Sequence, residues 1–235
     1  MNLKKDIKIE TVMVSLLISV MTVMLLSLFL HFDTISSSIG TEILGLNAST
    51  TGTANAVTSV VTYFRGFDTL GEVTILFLSI FGIGLGLDGY REKLNIFAYE
   101  NNLLKIAVQM LFPLIILFGF YVIIHGHLSP GGGFQGGVII ASAYLLKFLA
   151  KNDDFSLNHK LMGLIEALSG AGFVLIGILG LLLVNQAFDN FLPLGTLGKL
   201  FSGGVIPLIY IFVGMKVSAE ITALVEYFIR IKDAE

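Results

Sequence analysis

Cysteine is absent from the chain, which excludes a disulfide framework, a Cys-ligated iron–sulfur cluster and a zinc–thiolate site. A redox complex that used this protein would have to keep such clusters on other subunits. Charge is also scarce: 13% of residues are charged against 55% hydrophobic, and mean hydropathy is +0.88. Long apolar runs reach the ~20 residues that a membrane helix needs. The net charge of −3 says little for such a chain, whereas the placement of Lys and Arg says more.

Six apolar stretches predict an all-α, polytopic membrane protein with about six transmembrane helices. They lie at about 11–30, 70–88, 103–124, 135–149, 161–184 and 203–228. The first is too long for a signal-peptide core and has no clean small-residue cleavage pattern, so it is expected to be retained. Residues 31–55 form a Ser/Thr/Gly-rich connector with few charges, expected to be partly irregular, and a helical pattern resumes at Ala56. Pro113 should kink the third span, and the glycines of the fifth should let neighbouring helices pack closely. Residues 185–201, with Pro193 and several glycines, make a second connector.

Positive charge orients the spans. Lys4, Lys5, Lys8, Arg91, Lys93, Lys147, Lys151, Lys160, Arg230 and Lys232 fall on one side, Arg65 and Lys199 on the other. Lys105 and Lys216 lie near or inside spans. Both termini are therefore expected to be cytoplasmic, with the connector at 31–69 and the segment at 125–137 toward the outer face.

That segment, His125-Gly126-His127-Leu128-Ser129-Pro130-Gly131-Gly132-Gly133-Phe134-Gln135-Gly136-Gly137, separates two strongly apolar runs. Three successive glycines after a proline permit positive φ and should stop a regular helix. A loose surface loop would carry more Ser, Asn, Asp and Lys than Phe134 and Gln135. The reading is a shaped turn at a membrane boundary, where another element can approach bare backbone; the plain alternative is a glycine-rich hairpin with no further role. It is not a phosphate-cradling loop, since no Lys-Ser/Thr follows the glycines.

His127, Pro130, Gly131, Gly132, Gly133, Phe134, Gly136 and Gly137 resemble the signature of the MnhB domain, the B subunit of Mrp-type multisubunit cation/proton antiporters. The same subunit recurs in the antiporter-like modules of archaeal membrane-bound hydrogenase and sulfur reductase complexes. This likeness extends over about residues 95–235. A second stretch, Phe64-Arg65-Gly66-Phe67-Asp68-Thr69-Leu70-Gly71-Glu72, is similar to the C-terminal end of the large Mrp A subunit. In that family an acid often stands where this chain has Tyr63, so a role for that acid does not carry over. Together the two likenesses imply a fusion, with an A-tail module of two spans at 1–93 and an MnhB-like module of four at 94–235. They also imply a multi-pass protein of the cell membrane, working as an accessory subunit of a multisubunit complex.

Ionisable residues inside spans cost about 2.5–3.5 kcal/mol at a helix centre, so each needs a reason. Arg65 and Asp68 read as an anchoring ion pair at the membrane edge. Glu72 lies deeper without an obvious local partner, and either serves transport or makes a buried structural bond. Glu166, in the fifth span, faces a hydrated path or a cationic partner. Lys216 and Glu220 stand at i, i+4 on the sixth span, where they either exchange protons with a hydrated path or fix helix register. His125 and His127 lack a third ligand, so a proton relay or hydrogen bonding fits them better than a metal.

Glu72, Glu166, Lys216, Glu220, His125 and His127 make up the candidate ion path, with Arg65 and Asp68 a structural pair. No catalytic residue, metal or cofactor is expected. The expected partners are lipid and other Mrp-type membrane subunits, with no nucleic acid. The competing function is a membrane-arm subunit of a redox complex, partnered by peripheral redox subunits that carry the catalysis, and a third reading is a purely structural scaffold.

The orientation can be checked by single cysteines at Ser49, Ser129 and Ser156 in this cysteine-free background. The charge distribution predicts labelling from outside at the first two and protection at the third. The reverse pattern would refute it.

Overall fold

The protein is described from a computed structural model covering residues 3–30, 38–87, 102–150 and 157–230. Within these residues the secondary structure is helical: α1 (Leu3–Leu30), α2 (Ser38–Thr51), α3 (Ala56–Ser59), a π-helical turn (Val60–Phe64), α4 (Gly66–Leu87), α5 (Asn102–Ile124), α6 (Gly133–Leu149), α7 (His159–Val184) and α8 (Ile206–Arg230). Four helices are long and apolar enough to cross a membrane, at Gly66–Gly86, Asn102–Ile124, His159–Val184 and Ile206–Glu226. The Ser15–Met24 stretch of α1 and the whole of α6 are shorter apolar helices. At 17 residues α6 is at the lower limit for a span. The charged positions Arg91, Glu92, Lys93, Lys151, Asp153, Asp154 and Lys232 lie outside the described residues, as does Ser156.

Two compact units emerge, Met1–Glu42 and Ile43–Glu235. In the first, α1 accommodates its hydroxyls by bonding them back one turn, Ser19 to the Ser15 carbonyl and Thr22 to that of Ile18, both at 2.8 Å. An unpaired hydroxyl would otherwise face hydrocarbon.

The second unit is built around α8. One core cluster joins Val73 of α4, Phe173 and Ile176 of α7, and Ile209, Val213 and Val217 of α8, with Phe188 and Val205 from the intervening connector. A smaller cluster joins Ile123 of α5, Ile140 of α6 and Tyr210 of α8. Segments on both sides of residue 93 therefore share one core from residue 43 onward.

The connector at 31–55 differs from its sequence reading, because Ser38–Thr51 is a helix. Thr50 and Thr51 return their hydroxyls to the carbonyls of Leu46 and Asn47, each at 2.7 Å. Hydroxyls that disfavour a solvated helix are thus used up locally. Helix α4 begins earlier than the apolar run suggested, at Gly66, with Asp68 in its first turn where a negative charge meets the helix dipole favourably.

Close backbone approach positions the rest. Helix α6 lies between α5 and α8. A Cβ on Gly136 would stand 2.7 Å from the Gly119 carbonyl of α5, and one on Gly137 would stand 2.8 Å from the Gly214 carbonyl of α8. A Cβ on Gly133 would stand 2.5 Å from the Tyr210 carbonyl. Helix-breaking at the turn also follows from the sequence, with φ of +154° at Gly131 and +145° at Gly132. Two glycines of α7 are filled by neighbouring rings: Gly172 meets the Phe212 ring, and Gly177 meets that of Phe188.

Gly132→Val should lower stability by about 1–3 kcal/mol, since a branched residue is strained at this φ and its Cβ would meet the Tyr210 ring at 3.0 Å. Thermal unfolding of the purified protein measures it, and an unchanged midpoint would mean that the turn is loose.

Candidate functional site

Two polar regions stand out from an apolar chain. The first is a cap at one end of the second unit, where residues 53–58, the turn at 125–132 and the connector at 185–205 meet. The turn leaves carbonyls that no helix satisfies. Asn55 Nδ2 donates to the carbonyls of Gly126 and Ser129, both at 2.9 Å. The amides of Ala54 and Asn55 donate to the His127 carbonyl, each at 3.1 Å. Tyr210 donates its hydroxyl to Thr58 Oγ1 at 2.9 Å, and Thr58 donates in turn to the Gly126 carbonyl at 2.6 Å. Buried Asn47, Thr51 and Thr53 form a further closed network, with Asn47 Nδ2 on the Thr53 carbonyl at 3.0 Å. Composition hinted at this cap only through the Ser/Thr richness of 31–55, and nothing in the sequence paired it with the turn.

The two histidines part company here. His125 stacks on Tyr121 with ring centroids 4.2 Å apart, and its Nδ1 lies 3.1 Å from the Tyr121 carbonyl. His127 is wholly buried. Neither of its ring nitrogens makes a well-aligned hydrogen bond among the described residues, although the backbones of Lys199, Leu200 and Ile124 come near. Burial holds its pKa below the usual imidazole value. Among the described residues, no three His, Asp or Glu side chains gather as a metal site.

Beside the cap, a cleft of about 400 Å³ is lined by Tyr63, Arg65, Asp68, Gln186 and Phe188 among others. Arg65 and Asp68 form their ion pair there, both exposed, a setting in which such pairs contribute little stability. Burial, helped by a hydrogen bond to Asp189, pushes the Tyr63 phenol up to about 12.

The second region lies between helices. Lys216 Nζ is 2.7 Å from Glu220 Oε1, with side-chain exposures of 13% and 1%. The same nitrogen lies 5.0 Å from the centroid of the Phe77 ring on α4. Gly170 makes room on α7, where a Cβ would lie 3.6 Å from Lys216 Nζ. Three helices thus converge on one ammonium. Glu166 of α7 is half-buried and close enough to act electrostatically on Glu220. Glu220 Oε2 has no hydrogen-bond partner among the described residues. Farther along α8, buried Glu226 lies 3.4 Å from His159 at the start of α7, a pairing the sequence reading missed because each stands near a helix end. Glu72 is not part of this cluster. It is exposed on α4.

The model of a domain related to the MnhB subunit of Na+/H+ antiporter matches residues 103–223. The chain belongs to the MnhB family. That match takes in α5, the turn, α6, α7 and most of α8, including His127, Glu166, Lys216 and Glu220. The chain resembles mnhB2 of Staphylococcus aureus, a proposed antiporter subunit, with 52% identity over 54 residues, or 23% of this chain and 38% of that protein.

Among solved structures it is similar to a chain of the membrane-bound sulfane sulfur reductase, an archaeal respiratory membrane complex. There the TM-score is 0.70 at 34% identity, covering 91% of this chain and 97% of the other. The fold also matches a chain of the Mrp complex from Dietzia sp. DQ12-45-1b, with a TM-score of 0.65 at 19% identity, covering 97% of this chain and 26% of that one. This MnhB-family chain is an antiporter-type subunit and a multi-pass integral protein of the cell membrane. Both structural neighbours are subunits of multisubunit membrane complexes.

Burial of neutral His127 gives stability a pH dependence of definite sign. Below the ordinary imidazole pKa of about 6.5 the unfolded chain takes up a proton that the folded one resists, so stability falls as the medium is acidified. The melting temperature of the wild type should drop more between pH 7.5 and 5.5 than that of His127→Gln. Equal drops would remove His127 from the account.

Proposed function

We propose that this chain is an accessory subunit of a multisubunit Mrp-type sodium/proton antiporter module, seating helices against larger subunits and lining part of the ion path with Lys216, Glu220 and Glu166. The observation that carries this reading is the Lys216–Glu220 pair. It sits inside a span, where α4, α7 and α8 converge, with one carboxylate oxygen left without a hydrogen bond among the described residues. An ion pair kept only for packing is readily replaced by apolar residues, often without loss of stability. A pair with a spare acceptor and a second carboxylate nearby is equipped to pass a proton. The chain takes no catalytic step of its own.

In the full proposal both termini are cytoplasmic and six helices span the bilayer. Residues 1–93 derive from a segment resembling the Mrp A tail, and 94–235 form the MnhB module. The meeting of 53–58, 125–132 and 185–205 at one end supports the alternation, since each is expected on the outer face. His125 and His127 serve the outer cap as hydrogen-bonding or relay groups, and Glu72 belongs to a different face from the Lys216 cluster.

A second reading has its own support. The 34% identity over nearly the whole of a sulfane sulfur reductase chain favours a membrane-arm subunit of a redox-driven complex, with catalysis on peripheral partners. The chain physics is the same in both assemblies.

Sodium-dependent proton movement in vesicles, with assembly checked, tests the path. Lys216→Ala should abolish transport in a fully assembled complex, and Lys216→Ala with Glu220→Ala should not restore it. Restoration by the double substitution would reduce the pair to a structural one.

A further inference from the structure

Helix α4 is the least covered of the four long spans: 11% of its apolar window is buried within the chain, against 44% for α8. Its exposed side is not uniform. Glu72, Ile75, Ser79, Gly82 and Gly86 recur at i, i+3, i+7, i+10 and i+14, which aligns them in one stripe, and all five are exposed. Among the described residues, Gly82 and Gly86 have nothing within 4 Å of where a Cβ would stand. Glu72 has no hydrogen bond or ion pair among the described residues and lies about 9 Å along the helix from Gly66. Its short side chain cannot reach far back toward water. Within the candidate span Gly66–Gly86 a charged carboxylate facing lipid is costly, and a base opposite it would offset that cost.

We infer that this stripe of α4 is a docking face for a transmembrane helix of a different subunit, one that carries a lysine or arginine level with Glu72 and packs its backbone against Gly82 and Gly86. The inference rests on the reading that the chain works inside an assembly. Charge complementarity selects the partner. Helix α4 holds Asp68 and Glu72 and no base, so a second copy of the same face would set carboxylate against carboxylate. Small residues four apart admit a close helix crossing, which places the partner's backbone at the Gly82–Gly86 end while its cation meets Glu72. The stripe is distinct from the Phe77 side of α4, which faces Lys216.

The test uses the native complex with a small diazirine-bearing residue at Ser79 and, separately, at Phe81, which is exposed off the stripe. Irradiation should join Ser79 to a helix of another subunit whose sequence holds a Lys or Arg one to two turns away, and should join Phe81 mainly to lipid. Glu72→Lys should lower co-purification of that subunit by roughly tenfold or more, and exchanging the partner's base for Glu in the same strain should restore it. Lipid-only adducts at Ser79, adducts to this chain's own α1, a partner helix without a base, or full yield with Glu72→Lys would each overturn the proposal. A chain that leaves its membrane with no other subunit would overturn the assembly reading as well, whereas an intact complex with lipid-only adducts at Ser79 would overturn this inference alone.

Discussion

Everything in the larger unit depends on how near the backbone of α6 can come to α5 and α8. Hydrocarbon offers helices no hydrophobic reward for associating, so dispersion and shape must hold them together. Gly136 against Gly119, and Gly133 and Gly137 against Tyr210 and Gly214, remove the side chains that would keep the axes apart. The turn at 125–132 exists to start α6 at that distance, and positive φ at Gly131 and Gly132 redirects the chain within a few residues. Because α6 is short, its register against α8 is set at this end.

That solution leaves bare carbonyls in an apolar setting, and their repair ties the N-terminal part of the unit to the rest. Asn55, Thr58 and the amides of Ala54 and Asn55 supply donors to Gly126, His127 and Ser129. Tyr210 closes the arrangement from α8. With the cap fixed, α4 follows directly from the π-helical turn and carries Phe77 to Lys216. The charged centre is therefore held from both sides of residue 93, although no close sequence spacing links them.

How much of this could be read beforehand depends on the range of each interaction. The helices and the turn rest on runs of apolar residues and on local glycine chemistry, and both are visible in a few neighbouring letters. The i, i+4 pair of Lys216 and Glu220 is likewise local, and it forms as the spacing suggested. What stayed hidden was pairing over distance. Thr58 with Tyr210, and Asn55 with the turn, join residues roughly seventy to one hundred and fifty positions apart, with no periodicity to announce them. The helical state of 38–51 was missed for another reason: its Ser and Thr read as connector residues, while their hydroxyls bond within the helix itself. Phe188, at a positive φ in the connector, fills a notch at Gly177 that composition alone could not assign.

A chain with this much exposed apolar helix and a buried charged centre makes physical sense as one part of a larger membrane assembly. Mass measurement of the particle extracted gently from its native membrane through a tag on this chain, with its subunits identified, is the most direct check. The account predicts a stoichiometric complex containing larger antiporter-type membrane subunits, with or without peripheral redox partners. Recovery of this chain alone, or only as a self-oligomer, would contradict it.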